Sequence, residues 1–319
     1  MRLRGIGPEV LLLCFLLVGT AAFLLGRRSA RRRRVRHDID YFTGLDHLVN
    51  DRYDRAAEVF TRLATKSHEA EIQFALGSLM RRRGEVDRAI AIHTELRQHA
   101  EVGIREQATF ALGLDYMSAG LFDRAEERLR DLLASPGYRA AALEKLAWVY
   151  EQQHDWRAAL DIWRELPPEQ QRERASVAAH YCCELGEAAL AAQDFAAARA
   201  QVAAARVHSP ESARAALLAA RIAVAAGEDD KTLELYEAAL HPSRTLQAAF
   251  AREAHAALGQ RAAELDARLQ ADPPTDATPP LEPARFRCEQ CGVSSVTWHW
   301  RCPSCRSWDS LQSLNIRAS

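Results

Sequence analysis

Four cysteines near the end of the chain form two pairs, Cys288 with Cys291 and Cys302 with Cys305, with ten residues between the pairs. A two-residue gap lets both thiolates of a pair face one ion across a tight turn. Two such turns brought together supply a closed tetrahedral set of four sulfur ligands. The spacing therefore predicts that these cysteines bind one metal ion, and the closed shell indicates a structural ion rather than a hydrolytic one.

Residues 285–319 around these cysteines are too few to build a self-sufficient core. A structural ion contributes roughly 10 to 16 kcal/mol in small zinc fingers, so the ion would supply most of the folding free energy of this segment. Iron and zinc both suit four thiolates, and the spacing does not choose between them. Two disulfides are the alternative, which a reducing compartment would disfavour.

The compartment follows from the opposite end of the chain, where Val10 to Gly26 is uncharged and apolar for 17 residues. As a helix this run measures about 26 Å, which predicts a membrane-spanning helix. Only Arg2 and Arg4 precede it, whereas seven arginines follow it, at positions 27, 28, 31, 32, 33, 34 and 36. The positive-inside rule then predicts a single-pass membrane protein with its C-terminal side in the cytoplasm. A cleaved secretory signal is the alternative, and the arginine cluster opposes it.

Between these ends, a small residue followed four positions later by a bulky one recurs along the chain. We call these small residues the repeat anchors; they are Ala56, Ala89, Ala125, Ala159, Ala198 and Thr232. Their spacings of 33, 36, 34, 39 and 34 residues match the tetratricopeptide period of 34. Each unit is predicted to be two antiparallel helices separated by turns such as Arg83-Gly84-Glu85. One pair cannot bury its apolar face, so the units are expected to stack into an α-solenoid with a concave groove.

The predicted fold is therefore mainly α-helical, in five parts. They are a transmembrane helix in residues 1–26, a basic juxtamembrane segment in 27–40, tetratricopeptide repeats in 41–270, a proline-rich linker in 271–284 and a small metal ribbon in 285–319. A composition of 48% hydrophobic and 27% charged residues with a net charge of -1 fits a globular protein and gives no support for nucleic-acid binding.

Catalytic motifs are missing from the sequence. The eleven histidines show no His-Glu-x-x-His spacing, and there is neither a phosphate loop nor a Gly-x-Ser-x-Gly elbow. We therefore expect a protein that is not an enzyme. Partner proteins are expected to contact side chains that first helices of the repeats direct into the groove. These predicted partner residues are Phe74, Arg81, Arg82, Phe110, Leu114, Glu144 and Trp148.

The order of these parts resembles the bacterial lipopolysaccharide assembly protein B (LapB) family. The resemblance is carried by a membrane helix running into Gly26-Arg27-Arg28, by the repeats, and by the stretch from Cys302-Pro303-Ser304-Cys305-Arg306 to Trp308-Asp309. It implies an inner-membrane adaptor with a rubredoxin-like ribbon, in which the four cysteines are the metal ligands. It also implies that the adaptor brings an FtsH-type membrane protease to an LpxC-type deacetylase of lipid A synthesis, alongside other lipopolysaccharide assembly proteins.

Two other classes of function stay open at this point. One is an iron redox protein that uses the ribbon, although no flavin or nicotinamide fingerprint accompanies it. The other is a general membrane-tethered scaffold or chaperone for envelope biogenesis, whose groove would bind many clients.

Overall fold

The computed structural model of the chain describes residues 39–271 and 285–314. The predicted membrane helix Val10 to Gly26, most of the basic segment and the linker from residue 272 onward lie outside the described residues. Within the described ranges, no helix combines the length and the apolar character needed to cross a bilayer.

The chain divides into two compact units, and the division follows Val149 inside a helix. The first unit contains helices that pack in antiparallel pairs. Their bounds are residues 39–49 for α1, Tyr53–Ala64 for α2, Ala70–Arg82 for α3, Val86–Leu96 for α4, Val102–Ser118 for α5 and Phe122–Arg130 for α6; α7, Arg139–Gln153, contains the division.

The second unit continues the helical pairs and includes the cysteine ribbon. Its helices are α8 Trp156–Glu165, α9 Pro168–Glu173, α10 Ala175–Ala191, α11 Phe195–His208, α12 Ala213–Ala226, α13 Asp229–Leu240, α14 Arg244–Leu258, a 3-10 turn Gly259–Arg261 and α15 Ala262–Ala271. Within this unit α10 packs on α11 and α12 on α13, as the repeat pattern requires.

All six repeat anchors are buried, five of them completely. A small side chain at this point lets the second helix of a pair approach the first closely, which explains why the anchors recur with the repeat period. The long spacing of 39 residues between Ala159 and Ala198 also has a local cause. The short helix α9, Pro168–Glu173, is inserted between α8 and α10 and accounts for the additional residues.

The turns inside the pairs share one backbone geometry. In each, one residue adopts a left-handed conformation, and the next residue donates its N–H to a carbonyl oxygen five positions earlier, as Glu85 does to Met80 at 2.9 Å. Glycine fills the left-handed position at Gly84, Gly120 and Gly227, where the absence of a Cβ removes the steric penalty. This turn closes the end of the first helix and reverses the chain.

A buried polar network lies in the first unit, where His93 occupies the bulky position that follows the anchor Ala89. Its Nδ1 lies 2.6 Å from Asp115 Oδ2, and Arg81 Nη1 donates to Asp115 Oδ1 at 2.7 Å. His93 and Asp115 are both fully buried. The imidazole passes so close to Gly77 that a Cβ there would lie 2.4 Å from His93 Nε2. Gly77 is therefore required by the ring that packs over it.

We expect Gly77→Ala to destabilise the first unit by about 1–3 kcal/mol, because the new methyl group must displace a ring held by Asp115. Gly103→Ala is the matched control, since it also lies in a helix but a Cβ there would meet nothing within 4 Å. The control should be neutral or stabilising by up to about 1 kcal/mol. Urea unfolding of both variants measures the difference, and equal midpoints would contradict the packing argument.

Candidate metal centre and docking surface

The cysteines lie in a small three-stranded sheet. Its strands are β1 Phe286–Cys288, β2 Ser294–Ser295 and β3 Leu311–Ser313, arranged antiparallel in the order β2-β1-β3. An isolated bridge between Arg301 and Trp308 closes a second, smaller loop. Each of the two loops contains one cysteine pair, so the fold of the ribbon brings the pairs together.

The first pair lies in a tight turn after β1. Cys288 donates its N–H to the carbonyl oxygen of Val293 at 2.9 Å, and Gly292 donates back to the carbonyl oxygen of Cys288 at 2.8 Å. Gly292 has a φ of 74°, in the left-handed region that glycine adopts without steric penalty. Cys288 is buried and Cys291 is exposed.

The second pair repeats this turn with the same register. Cys302 donates to the carbonyl oxygen of Ser307 at 2.8 Å, and Arg306 donates to the carbonyl oxygen of Cys302 at 3.0 Å. Here Arg306, not glycine, has the left-handed φ of 64°. A non-glycine residue in this region costs of order 1–3 kcal/mol, so the surrounding contacts must enforce the turn.

The four sulfur atoms form a compact cluster, and all lie within 4.8 Å of one another. Cys288 Sγ lies 3.6 Å from Cys305 Sγ, and Cys291 Sγ lies 3.7 Å from Cys302 Sγ. Four sulfurs about 2.3 Å from one tetrahedral ion would be about 3.8 Å apart. These two separations fit that geometry and far exceed the ~2.05 Å of a disulfide. The four cysteines are thus positioned to bind one metal ion, as the sequence predicts.

Hydrogen bonds around the sulfurs favour the thiolate form that a metal requires. A hydrogen bond with Ser310, whose Oγ lies 3.3 Å from the sulfur, is the main cause that lowers the pKa of Cys288 to about 6. A hydrogen bond with Ser307 likewise lowers the pKa of Cys305. Burial acts in the opposite direction at Cys302 and raises its pKa to about 11. A metal ion bound at the site would supply the positive charge that stabilises the Cys302 thiolate in this buried position.

The ribbon docks on the helices of the second unit through its three tryptophans. Trp308 stacks on His180 with ring centroids 4.6 Å apart, and Trp300 stacks on Phe250 at 5.8 Å. Trp298 meets the edge of the same Phe250 ring at 6.4 Å. These ring contacts form an apolar docking face between the ribbon and the repeats.

A buried ion pair holds the same interface. Arg301 donates through Nη2 to Glu151 Oε2 at 2.8 Å and through Nη1 to the carbonyl oxygen of Glu151 at 3.0 Å. Their side chains are only 10% and 13% exposed. The same carboxylate accepts hydrogen bonds from the Tyr181 hydroxyl and, at 3.4 Å, from Trp308 Nε1. Burial next to this carboxylate raises the pKa of Tyr181, so that it remains a neutral donor.

Two further polar contacts tie the ribbon to the repeats. His180 Nε2 lies 2.7 Å from Asp309 Oδ2, and Thr245 donates through Oγ1 to Gln312 Oε1 at 3.2 Å. Arg214 has its guanidinium 5.7 Å from the ring centroid of Trp300, a cation–π distance. The interface thus combines stacked rings with buried, partnered charges.

Two of the predicted partner residues, Phe74 and Arg81, contact other residues of the fold. Phe74 is only 9% exposed and packs on His93 and Leu96. The prediction that its side chain faces a partner in the groove is therefore wrong. The Phe74 ring fills the space between α3, α4 and α5, where an aromatic ring buries more surface than at the rim. Arg81 is engaged by the buried Asp115.

The other predicted partner residues reach the surface to different degrees. Phe110 and Leu114 are half-buried, and Phe110 packs on Tyr138 with ring centroids 5.5 Å apart. Arg82 is exposed and lies over the ring of Tyr53 at 5.6 Å. Glu144 and Trp148 are both exposed on α7, with 37% of Trp148 accessible. Partner binding by these residues remains a prediction.

The sequence did not predict three residues that are central to the docking surface, namely Glu151, His180 and Arg214. They belong to different repeats, and 129 residues separate His180 from its partner Asp309. No local pattern links residues that far apart. The one available signal is compositional, since Arg214 and His180 are polar residues within alanine-rich helices.

Family models match both parts of the described chain. Residues 286–313 match the rubredoxin metal binding domain, and residues 43–98, 110–171 and 183–246 match the tetratricopeptide repeat. The chain belongs to the tetratricopeptide repeat family. The repeat architecture and the metal ribbon that the sequence predicts are thereby confirmed.

Curated relatives match most of the chain. Lipopolysaccharide assembly protein B of Escherichia coli K12 is 27% identical over 380 aligned positions, which span 95% of this chain and 98% of the relative. The protein of the same name from Haemophilus influenzae is 31% identical over 245 positions, spanning 70% of this chain and 61% of the relative. The resemblance to the LapB family is confirmed by these relatives.

Among solved structures, the C-terminal part of a tetratricopeptide protein from Cytophaga hutchinsonii is similar to this chain. It is 15% identical with a TM-score of 0.49, and the match covers 74% of this chain and 96% of that one.

We expect Cys302→Ser to abolish tight metal binding, because it removes one of four thiolates from a closed shell. The ribbon should then become sensitive to trypsin at Arg287 and Arg301, while the helices retain their circular dichroism. Ser304→Ala is the control, since it lies in the same turn and leaves every thiolate in place. Metal content by mass spectrometry reports the result, and stoichiometric metal in the cysteine variant would refute the four-thiolate site.

Glu151→Ala should loosen the docked ribbon without removing its metal. The change leaves Arg301 buried without its carboxylate, a loss that typically costs 3–5 kcal/mol. Quenching of tryptophan fluorescence by acrylamide should increase as Trp308 and Trp300 become accessible. Asp161→Ala is the control, because its ion pair with Arg164 is exposed and should contribute little. Unchanged quenching in the Glu151 variant would contradict the proposed role of the ion pair.

Proposed function

We propose that this protein is a non-enzymatic adaptor in lipopolysaccharide synthesis. In this proposal it acts on the cytoplasmic side of the inner membrane and brings an LpxC-type deacetylase to an FtsH-type membrane protease. The observation that carries the proposal is similarity to lipopolysaccharide assembly protein B of E. coli across 98% of that relative. The similarity therefore extends over the repeats and the ribbon together, and not over one of the two parts alone.

The chemistry of the metal centre supports binding rather than catalysis. Four thiolates fill a tetrahedral shell and leave no position for a substrate or an activated water. The ribbon is also fixed to the repeats by a buried ion pair and stacked rings. An ion in this setting, iron or zinc, stabilises a surface made jointly by ribbon and repeats.

Exposed side chains of the repeats supply candidate partner contacts. Trp148 and Glu144 lie four residues apart on α7, so they share one face of the helix. An exposed tryptophan beside a carboxylate is typical of an interface hot spot, because it offers a large rigid surface with few rotatable bonds. Trp148 contacts Phe122 edge-on at 5.9 Å, which holds the ring in place before a partner binds.

Tethering completes the proposed mechanism. The predicted membrane helix Val10 to Gly26 would confine the repeats to the plane in which a membrane protease acts. Confinement raises the effective concentration of the adaptor at the protease without adding any contact. The adaptor then needs only a moderate affinity for each partner.

Depleting the protein should lengthen the half-life of the deacetylase and raise lipopolysaccharide, although no catalytic group is removed. A pulse-chase of the deacetylase in depleted cells measures this. Complementation with Trp148→Ala should restore degradation only in part, because the partner loses an exposed aromatic contact. Val207→Ala, which also truncates an exposed apolar side chain, should restore it fully.

Circular dichroism must show both variants folded for this comparison to count. An unchanged deacetylase half-life in depleted cells would remove the adaptor proposal and favour a general scaffold for envelope biogenesis. Equal complementation by the two variants would instead remove Trp148 from the contact surface and leave the adaptor proposal standing.

A further inference from the structure

Helix α1, at the start of the described chain, carries an exposed row of apolar side chains. Ile39, Phe42 and Val49 lie on one side of the helix and are 59%, 67% and 83% exposed. Half-buried Leu45 lies between them and joins the row to the buried cluster of the first repeat. We call these four residues the α1 strip. Exposed large apolar side chains that are grouped in this way mark a contact site.

The later repeats show what normally covers this strip. Moving Ile39 forward by one, two and three repeats, along the anchors, gives Ile72, Ala108 and Ala142, which are all at most 1% exposed. Ile72 belongs to the same buried cluster as Phe60 of the preceding helix α2. The position of Ile39 is therefore one at which a repeat stacks on the repeat before it. Among the described residues no helix precedes α1, so its stacking side is open.

The last helices of the second unit have no such strip. The described residues of α14 and α15 expose no large apolar side chain, and Glu264 and Gln270 are among the exposed residues of α15. A polar outer face of this kind is how a terminal repeat keeps a solenoid soluble. Head-to-tail joining of two copies would therefore find no apolar surface on α15 to match the α1 strip.

The side chains around the α1 strip are already ordered. Thr43 donates through Oγ1 to a carbonyl oxygen one turn earlier at 2.8 Å, and Asn50 donates through Nδ2 to Asp46 Oδ1 at 3.2 Å. Covering these groups therefore breaks no hydrogen bond within the chain. Tyr41 contacts the Phe42 ring edge-on at 6.2 Å, which limits the freedom that Phe42 loses when it is covered.

The charge of α1 argues against a lipid surface as the occupant of the strip. From residue 39 to residue 51 the chain contains Asp40, Asp46 and Asp51 but neither lysine nor arginine. The cytoplasmic leaflet of a membrane has a negative surface potential, which attracts basic segments and repels acidic ones. The basic residues that suit such a surface are the seven arginines between positions 27 and 36, which precede α1. The α1 strip itself fits a protein surface better.

The predicted anchor makes a second copy the best candidate. The predicted membrane helix ends at Gly26, twelve residues before Ile39, so α1 lies within about 43 Å of the bilayer. Every copy then holds its strip at a similar depth, and a two-fold axis along the membrane normal brings two identical strips together. Confinement to the membrane raises the effective concentration of the copies, so a small apolar contact suffices.

We propose that the α1 strip is the contact between two copies of this chain in a symmetric dimer. Each copy supplies the other with the apolar cover that a preceding repeat gives to the later first helices. The dimer does not depend on the proposed adaptor function, because a general scaffold could form it equally well. The deacetylase half-life and the state of association are separate measurements, so one proposal can fail while the other stands.

Photo-crosslinking identifies the occupant of the strip directly. The full chain, with p-benzoylphenylalanine in place of Phe42, is irradiated in intact cells, and the products are read by gel mobility and mass spectrometry. The expected product joins two copies of the chain through position 42. The same amino acid in place of Val207 is the control, because Val207 is also exposed but lies on α11. It should give no such product.

Four results would overturn the proposal. They are a crosslink from position 42 to lipid alone, a crosslink to a different protein alone, no crosslink at all, and equal dimer yields from positions 42 and 207.

Sedimentation of the metal-loaded full chain in detergent tests the same contact by affinity. Phe42→Asp should weaken dimerisation by roughly tenfold or more, because it places a charge at the centre of an apolar contact. Phe42→Leu keeps an apolar side chain and should retain most of the association. Val207→Asp is the matched control and should associate like the unmodified chain.

Circular dichroism checks that the variants are folded, which the exposure of both positions favours. A dimer that Phe42→Asp and Val207→Asp weaken equally would contradict a contact at α1. An unmodified chain that sediments only as a monomer would overturn the proposal outright.

Discussion

The metal site of the ribbon and its hydrophobic core are largely the same residues. The buried cluster of the ribbon consists of Phe286, Leu311 and two of the predicted ligands, Cys288 and Cys302. Two apolar side chains cannot order a segment of this length, because each buries only enough surface for about 1.5–3 kcal/mol. The tetrahedral constraint of a bound ion therefore supplies most of the order of the ribbon. Every contact that the ribbon makes with the repeats depends on this constraint.

The two cysteine turns contribute unequally to docking. Trp300 and Arg301 immediately precede Cys302, and Trp308 and Asp309 follow Cys305 within four residues. All four of these flanking side chains contact the repeats. The second turn is thus both a half of the metal site and the segment that positions the docking residues, so losing the ion should also disturb the docking surface.

Sequence patterns predicted what depends on local spacing. The cysteine pairs and the repeat anchors each reflect geometry within a few residues, and the structure places them as expected. The sequence pattern is less informative where two repeated turns or helix pairs have the same backbone geometry but different residue types at the same position. Arg306 takes the left-handed position that Gly292 holds in the other turn, and His93 takes a position that Phe60 fills in the preceding pair.

Long-range pairing limits what the sequence can predict. Helical periodicity places Phe74 on a first helix but does not state whether the neighbouring pair covers it, and the structure shows that it does. Two partners of the ribbon, Glu151 and His180, lie 129 to 157 residues away from the ribbon residues that they contact. Their pairing is decided by how the repeats of the second unit stack on one another, which no local sequence pattern records.

The linker helps to explain how the ribbon stays docked on the repeats although docking buries charged side chains. A buried ion pair such as Arg301 with Glu151 contributes little net free energy, because desolvation of both charges offsets their attraction. The stacked rings of Trp300 on Phe250 and Trp308 on His180 supply favourable burial in addition. A chain of about 14 residues between repeats and ribbon makes docking intramolecular, with an effective concentration of order millimolar. Modest intrinsic affinity then suffices, and the buried charges contribute mainly to the register of the docked ribbon.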